Sequence, residues 1–166
     1  PATDAPDRVL FGRDAEAGVP TRFRFAARRL NARDVERVYR LHRGLLEQAP
    51  ESKVFKPESR QFFERHLEAA GQTLGVFVGP ALIAYGIVGL PVEARYNFGV
   101  AFGLEAAEWP RVAHLDGCGV RPQWRGNGLQ RWLAARRIAL AAAANRRHIL
   151  STAAPANRAS CRNLLG

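Results

Sequence analysis

Methionine is absent from the 166 residues, and Cys118 and Cys161 are the only cysteines. Two thiols cannot build the several bridges that staple small secreted folds, so a buried apolar core has to hold the chain together, and a reducing cytoplasm is the expected location. No apolar run approaches the roughly 18 residues of a membrane span. No basic-apolar-small pattern opens the chain, so neither a membrane partner nor a leader peptide is expected. Lysine is confined to Lys53 and Lys56, which leaves nearly all the positive charge to arginine. Neither a zinc-finger spacing nor an RNP-type aromatic motif is present, and no metal site is expected.

The residues that are present have the composition of one globular domain, 47% hydrophobic and 24% charged. A chain of this length buries about two-thirds of its extended surface on folding, enough for a sizeable core. Lys and Arg number 25 against 15 Asp and Glu, a formal net charge of +10. Such a field favours an anionic partner, whether nucleic acid, acidic protein or an anionic small molecule. The arginines are scattered over every segment, including both faces of the helical pattern at 129–145, so nucleic acid is the least favoured of the three.

Read in order, residues 1–20 mix Pro, Asp, Ala and Gly around a small apolar knot at Val9–Phe11 and are expected to form an N-terminal arm, with 21–166 the folded domain. From Thr21 to Arg29, Phe23 and Phe25 alternate with arginines, the period of a half-buried strand. Asn31 is placed to cap a helix carrying Val35, Val38, Leu41 and Leu45, three and four apart, which ends before Pro50. A second helix follows Pro57, with Phe62, Phe63, Leu67 and Ala70 on one side and Gly71 as its stop. The runs 73–78 and 81–90, separated by Gly79-Pro80, read as a hairpin. Residues 91–110 are too long for a tight turn and set Tyr96, Phe98, Phe102 and Trp109 among Glu93, Glu105 and Glu108, a mixture suited to a cation. A strand at 112–120, a Gly-containing loop, a helix at 129–145, a strand at 148–154 and a helix from Asn157 complete the order.

The chain is organised around Val120 to Leu129, where a strand hands over to a helix through a glycine loop. Gly126 and Gly128 permit positive φ and put no Cβ between the backbone and a ligand, so successive N–H groups can converge on one oxyanion. The following helix adds its unpaired first-turn N–H groups and the positive end of its dipole, and Arg125 stands beside them. The same loop would also serve as an ordinary Gly-rich turn, so taken alone it leaves both readings open. No Lys-Ser/Thr follows the glycines, which disfavours a nucleoside-triphosphate loop.

Gln123-x-x-Gly126-x-Gly128, with Val120 and Pro122 ahead of it, resembles the acyl-CoA signature Q/R-x-x-G-x-G/A of the GNAT superfamily of N-acetyltransferases. Asn157-Arg-Ala-Ser160, followed by Asn163-Leu164, resembles the Asn-x-x-Ser/Ala segment that opens the family's last conserved helix. The likeness is strong from about Val112 to Leu165 and rests on element order alone from about Thr21 to Pro91. It implies an α/β (α+β) fold with a mixed central sheet flanked by helices. It also implies a cofactor site for acetyl-CoA (coenzyme A) over Cys118, Gly119, Val120, Gln123, Arg125, Gly126, Asn127, Gly128, Leu129, Asn157 and Ser160. Family members usually continue with two further strands, so the C-terminal strands are expected to be missing. Alternatively a second chain, as in a homodimer, completes the core; without either, a sheet edge would lie exposed.

The resemblance further implies direct attack of a primary amine, on a small molecule or peptide, on acetyl-CoA in a ternary complex. An alkyl ammonium with a pKa near 10 has to lose a proton at pH 7, at a cost of about 4 kcal/mol, so a base is useful. By period two, side chains 114, 116, 118 and 120 are expected on one face of the strand. His114 and Asp116 are therefore candidate bases, with Glu108 or Glu105 from the preceding loop as alternatives. Leu164 stands where many members carry a Tyr that protonates the leaving thiolate. That departure keeps a second reading open, a non-catalytic acyl-CoA-binding GNAT-like module.

Overall fold

The computed structural model describes residues 8–13, 20–48, 55–68, 70–91 and 93–165. Strand β1 (Arg8–Arg13) pairs antiparallel with β2 (Pro20–Arg29), so residues 8–13 of the expected arm run alongside the sheet, and the rest of that stretch up to residue 19 lies outside the described residues. Asn31 accepts from Arg33 N–H and Asp34 reaches back to Asn31 N–H, a capping box that opens a one-turn 3₁₀ helix leading into α1 (Val35–Glu47). Helix α2 (Arg60–Leu67) starts at Ser59, whose hydroxyl accepts from Phe62 N–H. It ends earlier than its apolar pattern suggests. Gly71 is the first residue of β3 (Gly71–Val78), where a Cβ would collide with the Val88 carbonyl, so close strand approach and not helix termination requires the glycine.

Strands β3 and β4 (Ala81–Gly89) form the expected hairpin, with Gly79 at φ +52° in its turn. Residues 91–110 are folded more regularly than a loop. They hold short helical turns at Ala94–Tyr96 and Ala106–Arg111 and the one-turn helix α3 (Phe98–Ala101), started by the Asn97 side chain on Gly99 N–H. Then come β5 (Val112–Val120), a 3₁₀ turn at Pro122–Trp124, α4 (Leu129–Ala143), β6 (His148–Leu150) and α5 (Arg158–Leu165). The expected strand at 148–154 pairs over three residues only.

The six strands lie in sequence order, β1-β2-β3-β4-β5-β6, antiparallel except for the parallel β5–β6 pair. Helices α1 and α2 cover one face, where Val38, Phe63, Tyr85 and Ile87 are fully buried. Helix α4 covers the other, with Leu133 packed on Val76, Ile83 and Ala84. Each such large side chain contributes on the order of 1.5–3 kcal/mol by leaving water.

One irregularity decides what the sheet can do. Gly86 pairs with Cys118 but Val88 pairs with Leu115, so β5 carries one extra residue at 116–117 opposite Ile87. A bulge of this kind inverts the alternation of side chains beyond it. His114 and Asp116 face α2, whereas Cys118 and Val120 pack toward α4. The single shared face expected from a period of two is thereby corrected. Arg137 of α4, 2% exposed, seals the bulge by donating to Ile87 O at 3.2 Å and Asp116 O at 2.9 Å. Gly86 leaves room for it, since a Cβ there would lie 3.1 Å from Arg137 Cδ.

Candidate active site

Two clefts open beside this bulge. The first, about 440 Å³, follows the end of β5 into α4. It is lined by Cys118, Gly119, Val120, Arg125, Gly126, Gly128, Leu129 and Asn157, eight of the residues singled out in the sequence, together with Gln130, Arg131, Trp124, Leu45, Phe55 and Asn163. Gly126 and Gly128 adopt φ +82° and +71°, and open space surrounds the position of a Cβ at each. No side chain caps α4, so its first-turn N–H groups are left for a ligand. Arg121 N–H donates to Ile83 O. By alternation of the antiparallel ladder, Cys118 and Val120 then turn their N–H groups away from β4, toward the side where β6 no longer pairs.

The remaining cofactor candidates lie outside that lining. Gln123 is exposed on its 3₁₀ turn. Asn127 donates to Trp124 O at 3.0 Å and so shapes the loop from within. Ser160 accepts from Gln130 at 3.3 Å, and Asn163 donates to Gln130 Oε1 at 3.1 Å, which ties α5 to the first turn of α4. Asn157 accepts from Ser160 N–H at 3.0 Å and caps α5 while lining the cleft.

The second cleft, about 800 Å³, lies between α2, the end of β4 and the 91–101 segment, with His114 and Asp116 in its lining. Gly89 gives Asp116 its place, since a Cβ there would collide with Asp116 Oδ2. His66 of α2, which nothing in the sequence singled out, completes the floor with Nε2 3.5 Å from Asp116 Oδ2. Its Nδ1 is 2.7 Å from Phe62 O and must carry a proton to donate there, which fixes the tautomer. The bare Nε2 and the carboxylate both present acceptor atoms to the cleft.

His114 is differently engaged. Its Nε2 accepts from Phe98 N–H at 3.1 Å, and its ring stacks on Phe98 with centroids 4.0 Å apart. Burial pushes its pKa below the ordinary histidine value, against a smaller opposing effect of Asp116. Glu108 does not line either cleft. It bonds His148 at 2.8 Å and Arg111 at 3.2 Å, and those contacts, the His148 bond first, hold its carboxyl below the ordinary range. Glu105 lies outside both linings as well.

Behind Gly119 of the first cleft stands Tyr85, fully buried, its hydroxyl 2.8 Å from His42 Nδ1. Glu58 N–H donates to His42 Nε2 at 2.9 Å, so Nδ1 is the protonated nitrogen and donates to Tyr85. A Cβ on Gly119 would lie 2.6 Å from both Tyr85 Cε1 and Leu45 Cδ1, which is why this wall needs glycine.

No curated protein matches the chain. Among solved structures it is similar to the GNAT domain of S. lividans PAT, at a TM-score of 0.64 and 18% identity over 98% of this chain and 88% of that one. It is similar to AAC(6')-Iy in complex with the bisubstrate analog CoA-S-monomethyl-acetylneamine, at a TM-score of 0.61 and 17% identity, covering 83% and 85%. It is also similar to the ribosomal-protein-alanine N-acetyltransferase from Brucella melitensis biovar Abortus 2308, at a TM-score of 0.58 and 18% identity, covering 83% and 87%. At these identities the likeness is one of fold. The family model described as acetyltransferase (GNAT) matches residues 35–164, most of the sequence, and the chain belongs to that family.

Proposed function

We propose that the protein transfers an acetyl group from acetyl-CoA to a primary amine of a small molecule or peptide, by direct attack within a ternary complex. The observation that carries this reading is the β5 bulge, beside which an anion-ready cleft at Cys118–Leu129 and the carboxylate–imidazole pair of Asp116 and His66 follow one another along one strand. The first cleft fits coenzyme A because it combines two positive-φ glycines, an uncapped helix N-terminus, Arg125 and Arg131, which suits a pyrophosphate. Leu129, Gly126 and Gly128 would hold that end, and Asn157 with the outward N–H groups of Cys118 and Val120 would hold the arm. Bound there, acetyl-CoA supplies the activated thioester.

The remaining work falls to the chain. Asp116, backed by His66, takes the proton that an ammonium must lose, a task worth about 4 kcal/mol for an amine of ordinary pKa at pH 7. His114 is better suited to positioning, because its Nε2 lone pair is already used by Phe98 N–H.

The test is amine-dependent release of free thiol from acetyl-CoA, read alongside calorimetric binding of acetyl-CoA to the same preparation. Binding with amine-dependent release supports the reading, and no binding by folded protein refutes it. A non-catalytic acyl-CoA-binding module is the competing reading, favoured by Leu164 at the place where many relatives carry a proton-donating Tyr. It predicts binding with no thiol release for any amine.

A further inference from the structure

Three Lys or Arg side chains and three carboxylates line the second cleft, but they do not all fall into pairs. Glu58 is paired with Lys56 at 2.9 Å and Glu93 with Arg95 at 2.7 Å. Two groups in the lining are left over. Asp116 sits on the floor beside His66 and His114, with no Lys or Arg paired to it among the described residues. Arg65, one residue along α2, is exposed at the mouth, 5.8 Å from the Tyr96 ring centroid, and pairs with no carboxylate among the described residues. Phe62 and Phe98 provide apolar lining. The cleft is thus bipolar, with negative charge inside, an unmatched guanidinium outside and aromatic surface in it.

Taking the transferase reading above as given, we propose that the acceptor is a zwitterion: a primary amine that also carries a carboxylate on an apolar or aromatic frame. Its ammonium meets Asp116 and its carboxylate meets Arg65. A guanidinium offers a fork of donors that matches a carboxylate in two places, and its hydrogen bonds to charged groups are stronger than neutral ones. An acceptor with a second ammonium at the mouth fits poorly, because Arg65 stands there with no carboxylate partner among the described residues and the whole chain carries +10.

Three probes of one shape separate the possibilities: 4-(aminomethyl)benzoate, 4-(aminomethyl)benzamide and benzylamine, each assayed for acetylation at saturating acetyl-CoA. The carboxylate is expected to exceed the amide in kcat/KM by about tenfold, the lower end of the range for a charged hydrogen bond at an exposed site. In Arg65→Gln that ratio is expected to fall to near one, and Arg65→Lys should restore part of it. Each ratio is taken within one variant, so a general loss of activity does not move it. Equal turnover of carboxylate and amide in the unaltered protein, or a ratio that survives Arg65→Gln, overturns the zwitterion and leaves the transferase standing. Acetyl-CoA binding with no acetylation of any of the three overturns the zwitterion, and thiol release with any other amine would show that the transferase still stands.

Discussion

His66 and Asp116, from a helix and a strand 50 residues apart in sequence, stand with Nε2 and Oδ2 3.5 Å from each other, and the helix carbonyl of Phe62 fixes which imidazole nitrogen faces the carboxylate. Asp116→Asn keeps the shape beside Gly89 but removes the proton acceptor. The expected result is a fall in kcat of about 100- to 1,000-fold, the usual worth of a general base, with acetyl-CoA affinity within about twofold. Steady-state kinetics and calorimetry on the same sample check this, and a loss below about fivefold would assign the base elsewhere.

Gly126→Glu tests the cofactor cleft. At φ +82° a side chain strains the backbone, by roughly 1–2 kcal/mol. Open space around the Cβ position accommodates the rest of the residue. A carboxylate placed where a phosphate is expected costs several kcal/mol, so acetyl-CoA affinity should weaken by about 100-fold or more. Circular dichroism should show the fold intact, and unchanged affinity would remove the assignment of this loop.

Stability should depend on pH through His42. Burial lowers its pKa from 6.5 to about 4, so the unfolded chain takes up the proton first as pH falls. The contribution of the neutral, buried imidazole is therefore complete above pH 6.5 and is lost as pH drops from 6.5 toward 4, on the order of 3 kcal/mol in all. His114, lowered by the same cause, adds to the slope. Denaturant titrations at several pH values should show the decline, and His42→Gln should make it shallower. An equally steep slope in that variant would contradict the assignment.

Arg137→Leu removes the donors that hold the bulge. Two buried carbonyls, Ile87 O and Asp116 O, lose their guanidinium partner, at a cost of about 2–4 kcal/mol. For a domain of this size the expected fall in Tm is roughly 5–15 °C. Because Asp116 is one of the residues held, kcat should drop as well, by more than Tm loss alone explains when assayed well below the transition. A Tm within about 2 °C of the unaltered protein would show that the bulge stands without Arg137.

Local patterns proved readable wherever one residue type forces one geometry. Val35, Val38, Leu41 and Leu45 marked α1 correctly while Asn31 caps the 3₁₀ turn ahead of it, Gly79-Pro80 marked the hairpin turn, and Gly126 and Gly128 do adopt the positive φ that the loop reading required. Two kinds of feature stayed hidden. His66 sits within an apolar helical run beside Phe62, Phe63 and Leu67, where a histidine looks like any other core residue, and only the fold brings Asp116 to it. The bulge has no local signature stronger than Gly117, so strict alternation wrongly united His114 and Asp116 with Cys118 and Val120. Arg137, which stabilises that bulge, looked like one more solvated arginine in a basic chain.

The extra residue at 116–117 works as a parity switch. With strict alternation Asp116 would share a face with Cys118 and Val120; with the extra residue it shares one with Gly119 instead, while Cys118 and Val120 turn toward α4. With the count shifted by one in mid-strand, consecutive segments of the same backbone address opposite faces, and residues four positions apart can belong to different compartments. Deleting Gly117 would exchange inside for outside along half of β5. Which side chains of β5 reach α2 and which reach α4 is thus set by an odd number of residues, with Gly89 and Gly119 leaving the room that the arrangement needs.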